Sequence, residues 1–303
     1  MLGSYASNMA VTECDLFINL GSRFDDRLAS KPDAFAPNAK IVHVDIDPSE
    51  INKVIQTDLG IVADCKLVLE ALSSENVTTA HHEEWIHYCK QNKQKHPFKY
   101  DKNEDDTFSK PQKSIEYIGK ITNGDAIVTT DVGQHQMWAA QFYPFKDHGQ
   151  WVTSGGLGTM GFGIPSAIGA QLASPDKTVV CFVGDGGFQM TNQEMALLPE
   201  YNLNVKIVLI NNGTLGMVKQ WQDKFFNQRF SHSVFNDQPD FIKMAEAYGI
   251  NGYLIDSSDK LESQIDAAFN HNGPALIEVR ISPVEPVNPM VPSGKSNHEM
   301  EGL

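Results

Sequence analysis

Basic clusters are missing from this sequence. Lysine and arginine number 24 against 38 aspartates and glutamates, a formal net charge of -14 at pH 7. That excludes nucleic acid and anionic membrane as the main partner, because both are gripped by clustered cations. Small anions are not excluded, since backbone dipoles and a metal hold phosphate inside acidic proteins. Long apolar runs are missing too. No stretch approaches the roughly 20 residues of a membrane helix. Met1 is not followed by a charged-then-apolar leader, so a cytoplasmic location is expected. Cysteine is scarce: Cys14, Cys65, Cys89 and Cys181 make no CxxC pair. Reduced thiols, Cys14 and Cys181 in or beside apolar strands, fit a cytosolic protein better than a disulfide framework. What is present is ordinary for a globular chain. Apolar residues are 41% and charged residues 20% of 303, with room for roughly two domains.

Strand-like and helix-like runs alternate. Asp15–Gly21 and Ile41–Asp47 read as strands and Asp64–Leu72 as a helix. A polar stretch follows to Lys110, with one charged segment (HHEEWIHYCKQNK) patterned as a surface helix. A second block begins near Pro111, with a helix at Ser114–Ile121, a strand at Ala126–Asp131 and a helix at Gly161–Leu172 carrying Pro165 in its first turns. Thr178–Gly184 and Val205–Ile210 are almost continuously apolar, the mark of parallel strands covered on both faces. Thr191 with Glu194 predicts a capping box at a helix start. Two more helices and a strand at Ala275–Arg280 complete the block. The pattern predicts an α/β fold with a doubly wound parallel sheet, preceded by part of a second α/β domain. Boundaries are expected at 1–75 for the partial domain, 76–110 for a linker, 111–285 for the main domain and 286–303 for a proline-rich arm.

The chemistry lies in Gly184-Asp185-Gly186-Gly187 and, one helix and one strand later, Asn211-Asn212. Each motif ends a buried strand, where open parallel sheets bind ligands. An aspartate and an asparagine delivered there by neighbouring strands offer hard oxygens to one cation. Magnesium wants such oxygens and shares them with phosphate. The glycines let backbone N–H groups come close to a diphosphate, with the positive end of the Thr191 helix nearby. A competing pattern is Gly156-Leu157-Gly158-Thr159-Met160-Gly161, which fits the GxGxxG of nicotinamide-binding folds. That reading needs a long apolar strand directly before the glycines, where only QWVTS stands, and it leaves the paired asparagines without a role.

GDG followed by NN is the signature of thiamine-diphosphate enzymes. GSRFDDR (21–27), VDIDPSEI (44–51), DVGQHQMWAAQ (131–141), GGLGTMGFGIPSAIGA (155–170), GDGGFQM (184–190), NNGTLGMVKQWQ (211–222) and PMVPSG (289–294) together resemble the carboxyl-terminal half of the catalytic subunits of biosynthetic acetolactate synthases. The resemblance implies the following expectations. Magnesium is held by Asp185, Asn212 and the Thr214 carbonyl. Gly133, Gln134, His135, Gly184, Gly186 and Gly187 surround the diphosphate. Gly158 and Met160 hold the aminopyrimidine, with the Met160 side chain bending the cofactor. Met217, Val218 and Trp221 line the substrate pocket, although Met217 and Trp221 at helical spacing also fit an ordinary core. FAD is lined by Gly21, Ser22, Arg23, Phe24, Asp25, Asp45, Ile46, Asp64 and Cys65; the alternative there is a structural half-domain without flavin.

The reaction so implied decarboxylates pyruvate and joins its two-carbon unit to pyruvate or 2-oxobutyrate, in branched-chain amino-acid synthesis. The family implies a homo-oligomer and a regulatory small subunit. It also has an amino-terminal pyrimidine-binding domain whose glutamate acts on the cofactor. No glutamate here takes that role, so the chain is expected to be incomplete without that domain, with a separate pyrimidine-domain chain as one source. Another thiamine-diphosphate decarboxylase or carboligase, and a cofactor-binding module without turnover, are the alternatives.

Overall fold

The computed structural model describes residues 3–75, 81–102 and 108–303. The chain forms two compact units, Met1–Lys99 with Asn288–Leu303, and Tyr100–Val287. In the first unit, helix α1 (Tyr5–Glu13) leads into strand β1 (Leu16–Leu20), followed by β2 (Lys40–Asp45), β3 (Leu59–Val62), α2 (Cys65–Ser74) and α3 (Glu83–Lys95). The three strands form a parallel sheet in the order β1-β2-β3. One side of it carries a small core of Phe17, Phe24, Phe35, Ile41 and Ile55, tightened by edge-on ring contacts of Phe35 with Phe17 and Phe24. Leu16, Ile18 and Leu20, alternating on the other face of β1, are exposed.

Two parts of this unit differ from the expected division. Helix α3 lies within the stretch read as a linker and packs against α1, with Tyr5 and His96 ring to ring at 4.0 Å. The rest of that stretch at 76–80 and 103–107 lies outside the described residues. Residues 288–303, read as an arm beyond the second domain, belong to the first unit, where the Gly294 N–H donates to Ser30 Oγ.

The second unit runs α4 (Pro111–Ile121), β4 (Ile127–Thr130), α5 (Gln134–Phe142), β5 (Trp151–Thr153), α6 (Gly163–Ala173), β6 (Val179–Gly184), α7 (Asp185–Thr191), α8 (Leu197–Glu200), β7 (Val205–Asn211), α9 (Gly216–Phe225), α10 (Phe241–Ala247), β8 (Asn251–Ile255), α11 (Leu261–Asn270) and β9 (Ala275–Arg280). Its six-stranded sheet is parallel throughout, in the order β5-β4-β6-β7-β9-β8. Every residue of β6 and β7 is buried, which explains why both are apolar but for Lys206 and Asn211 of β7. Helix α6 packs on β4 and β6, and α10 and α11 pack on β8 and β9. The strand order reverses beside β4, and a parallel sheet opens a crevice at the carboxyl ends of its strands there.

The expected capping box is absent. The helix after β6 starts at Asp185 itself, and Thr191 makes no cap bond; its hydroxyl donates to the Gly161 carbonyl, and a short 3-10 turn follows. The positive helix end therefore sits within the GDGG turn, not six residues beyond it. All four cysteines are free, and only Cys181 is fully buried.

Candidate functional site

The register between β6 and β7 pairs Gly184 with Ile210, and Asn211 still pairs with Arg280 of β9, so the chain leaves the sheet at Asp185 on one strand and Asn212 on the next. The two turns stand side by side. Asp185 is 2% exposed; its Oδ1 accepts the Gly186 N–H at 2.8 Å and its Oδ2 accepts the Gln238 amide at 2.8 Å. Burial pushes the carboxyl up to about 6, while Gln238 and the N–H groups of Gly186, Gly213 and Thr214 pull it down. Asp185, Asn212 and Thr214 line one cleft, which sets the asparagine turn beside this carboxylate. In that turn Asn211 Oδ1 accepts the Gly213 N–H at 3.1 Å, and Asn212 Oδ1 accepts the Thr214 N–H at 3.0 Å. Asn211 is held from behind, its Nδ2 donating to the buried Glu278 at 2.9 Å.

Both turns line a cleft of about 450 Å³, including its solvent-filled mouth. The third wall is the start of α5. The His135 ring is wedged between glycines: a Cβ on Gly184 would come to 2.8 Å from its Nδ1, and one on Gly133 to 2.9 Å from its Cε1. A Cβ on Gly187 would overlap the Asp131 carboxylate, so only glycine fits there. Burial lowers His135 to about 4, against the upward pull of Asp131, so the ring is neutral at pH 7. Gln134 Oε1 accepts from Asn212 Nδ2 at 3.0 Å, and its Nε2 donates to Gln220 Oε1 at 2.8 Å.

Three buried polar atoms here have no hydrogen-bond partner: Asp131 Oδ1, His135 Nε2 and Thr214 Oγ1. Buried polar groups are rarely left so unless a ligand or water completes them. Among the described residues no three His, Cys, Asp or Glu side chains converge. A cation would therefore rest on one carboxylate and neutral oxygens, the donor set of a hard ion shared with phosphate. The residues present fit magnesium with a diphosphate.

Of the residues singled out from sequence, Gly133, Gln134, His135, Met160, Gly184, Asp185, Gly186, Gly187, Asn212, Thr214, Met217 and Val218 line this cleft. Gly158 and Trp221 do not. Gly158 sits in an exposed turn at φ 72°, and Trp221 packs edge-on against Phe225 at 5.7 Å. Gln238, missed in the sequence, reaches Asp185 from 53 residues away, and no local pattern marks it. The residues proposed for FAD gather at the carboxyl ends of β1, β2 and β3. Gly21 comes close to Cys65, whose sulfur lies 2.9 Å from where a Cβ would stand. Phe24 is 3% exposed and belongs to the core, leaving only its backbone for a ligand. Asp45 accepts the Asp47 N–H, Asp25 the N–H groups of Arg27 and Leu28, and Asp64 caps α2 through Lys66.

The family models match in two places: the C-terminal TPP-binding domain of thiamine pyrophosphate enzymes at residues 131–279, and their central domain at residues 1–72. The chain belongs to the thiamine pyrophosphate enzymes. Within them it is similar along its whole length to acetolactate synthase large subunits. It is 52% identical over 303 residues to that of Lactococcus lactis subsp. lactis (strain IL1403), covering all of this chain and 52% of the relative. It is 44% identical over 300 residues to the isozyme 2 large subunit of Escherichia coli (strain K12), covering 99% and 54%. It is 44% identical over 310 residues to the large subunit of Cyanidium caldarium, covering 100% and 52%. The chain thus spans about half the length of the curated relatives it matches. Among the described residues no helix is long and apolar enough to cross a membrane.

Proposed function

We propose that this chain provides the magnesium- and diphosphate-holding part of an acetolactate synthase, which decarboxylates pyruvate and ligates the two-carbon unit to pyruvate or 2-oxobutyrate. The observation that carries the reading is the meeting of Asp185 with the Asn212–Thr214 turn in a cleft whose walls hold unpaired buried polar atoms. Magnesium takes the Asp185 carboxylate, the Asn212 side chain and the Thr214 carbonyl. Gly133, Gln134, His135 and the glycines of the GDGG turn face the diphosphate, with neutral His135 as a hydrogen-bonding partner that adds no charge. Met160 holds the pyrimidine end, and Met217 and Val218 shape the substrate pocket; Gly158 and Trp221, which lie outside the cleft lining, are assigned to these two ends by the family resemblance alone. Thiamine diphosphate, when bound, supplies the electron sink for losing carbon dioxide, and the protein supplies orientation and a dry pocket. FAD is assigned to the carboxyl ends of β1–β3, where Gly21, Ser22, Arg23 and Cys65 come together with the start of α2.

Among the described residues no glutamate lines the cleft. Proton transfer at the pyrimidine is therefore assigned to a glutamate of another polypeptide segment, within an oligomer. The relatives' printed name, large subunit, supports a smaller regulatory partner. Calorimetry with magnesium and thiamine diphosphate tests the binding half of the proposal: the unaltered chain binds, and Asp185→Ala does not. Acetolactate assays with pyruvate, with and without a polypeptide carrying the rest of a relative's length, test the turnover half. Benzoylformate or oxalyl-CoA turned over in preference to pyruvate would point to a different carboligase.

A further inference from the structure

The loop between α9 and α10 has no part in the assignments above, yet it touches both halves of the candidate cation site. Its residues 233–235 run antiparallel to the asparagine turn. The Leu215 N–H donates to the Ser233 carbonyl at 2.8 Å and the Phe235 N–H to the Gly213 carbonyl at 3.0 Å, with Thr214 bridged to Val234. Three residues further on, Gln238 Nε2 donates to Asp185 Oδ2 at 2.8 Å. The loop's far end is rooted in the same helix that begins with Asp185. Asp240 caps α10 through the Lys243 N–H at 3.0 Å, and Phe241, 1% exposed, meets Phe188 of α7 edge-on at 5.4 Å. Segment 233–241 thus spans from one metal-facing turn to the other and is fixed at both.

We infer that Gln238 is a positioning residue of the cation site, and that the 233–241 segment is a clasp holding the Asp185 carboxylate in register with the Asn212–Thr214 turn. The inference rests on the cofactor reading given above. An amide suits the task. It donates one hydrogen bond that stops the carboxylate from rotating, and it carries no charge that would compete with the cation, as a lysine or arginine would. Outer partners of this kind orient metal-ligating carboxylates, and their loss weakens metal binding by about 10- to 100-fold.

The test uses the full chain with Mn2+ as the probe, titrated by electron paramagnetic resonance in the presence of thiamine diphosphate, alongside metal-free melting curves. Gln238→Met keeps the side chain's length and removes the donor; Gln238→Ala is the second variant. Both are expected to bind Mn2+ about 10- to 100-fold more weakly, with the metal-free melt still cooperative and lowered only by the few degrees that one lost hydrogen bond costs. Asp185→Ala is expected to abolish binding. Affinities within twofold of the unaltered chain in both Gln238 variants, with binding lost in Asp185→Ala, overturn the inference alone. A lost affinity accompanied by a metal-free melting transition that is lost or no longer cooperative in both variants assigns Gln238 a merely structural part and also overturns it. Failure of the unaltered chain to bind, or undiminished binding by Asp185→Ala, brings down the cofactor reading beneath it.

Discussion

Opposite ends of the central strands bury charge in contrasting ways. At the amino end of β7, Lys206 is 1% exposed and its Nζ donates to the carbonyls of His271 at 2.8 Å and Gly273 at 2.7 Å. Burial lowers its pKa to about 8, yet the ammonium closes a loop that the fold itself brings to it. At the carboxyl end of β6, Asp185 is as deeply buried and is pushed up to about 6, beside three polar atoms with no partner. One end has its hydrogen bonds made within the chain, and at the other the buried polar groups outnumber their partners. A buried charge with its hydrogen bonds made is architecture; a raised carboxylate among unpaired donors and acceptors in a crevice marks a binding site.

The largest expected effect comes from removing the unmatched charge. The folded carboxyl of Asp185 sits at about 6 against an ordinary aspartate value of 3.8, so the folded state disfavours ionisation. The cost is absent below pH 3.8, grows between 3.8 and about 6, and is constant above. Asp185→Asn should therefore stabilise the metal-free chain by about 3 kcal/mol at pH 7.5 and by little at pH 4, while abolishing magnesium binding. Urea melts at the two pH values decide it; an equal effect at both would contradict the account.

Lys206→Met breaks the completed end. It leaves the His271 and Gly273 carbonyls without their donor but also relieves a buried charge, so it should cost least at pH 7 and more toward pH 10, with magnesium affinity unchanged. Because the folded pKa is lowered, the unaltered chain gains stability as pH rises from about 8 toward 10.5, where the unfolded chain still holds the proton and the folded one has released it. The methionine variant should lack that rise in a pH series of melts. Asn211→Ala should cost about 1 kcal/mol, because it loses the Gly213 cap and the Glu278 bond. It should also loosen magnesium binding roughly tenfold, by releasing the turn that presents Asn212. Calorimetry showing an unaltered affinity would detach Asn211 from the site. The smallest effect calibrates the others. Asp125→Asn breaks the exposed pair with Lys177, 2.9 Å apart, and should change stability by under about 0.5 kcal/mol.

The elements legible in the sequence are those whose burial is uniform. VVCFVG of β6 and VKIVLI of β7 read directly as strands because both faces of the sheet are covered along their length. Strand β5 escaped notice because it has three half-buried residues at the sheet edge, too few for a pattern. The capping box at Thr191 misled for a different reason. The residue types fit, but the Gly161 carbonyl, 30 residues away in the chain, takes the hydroxyl. Half of the site was visible as two short motifs after two apolar runs; the neutral state of His135 and the hold of Gln238 on Asp185 were not.

By itself the sequence determined where the chain turns at the ends of its buried strands and which oxygen-bearing residues occupy those turns, because glycine, aspartate and asparagine act on their immediate neighbours. The tertiary structure decided which turns become adjacent, how deeply Asp185 is buried and who holds its second oxygen. Those depend on strand order and on a loop 53 residues distant, and desolvation is a property of everything packed around a group rather than of the group's place in the chain.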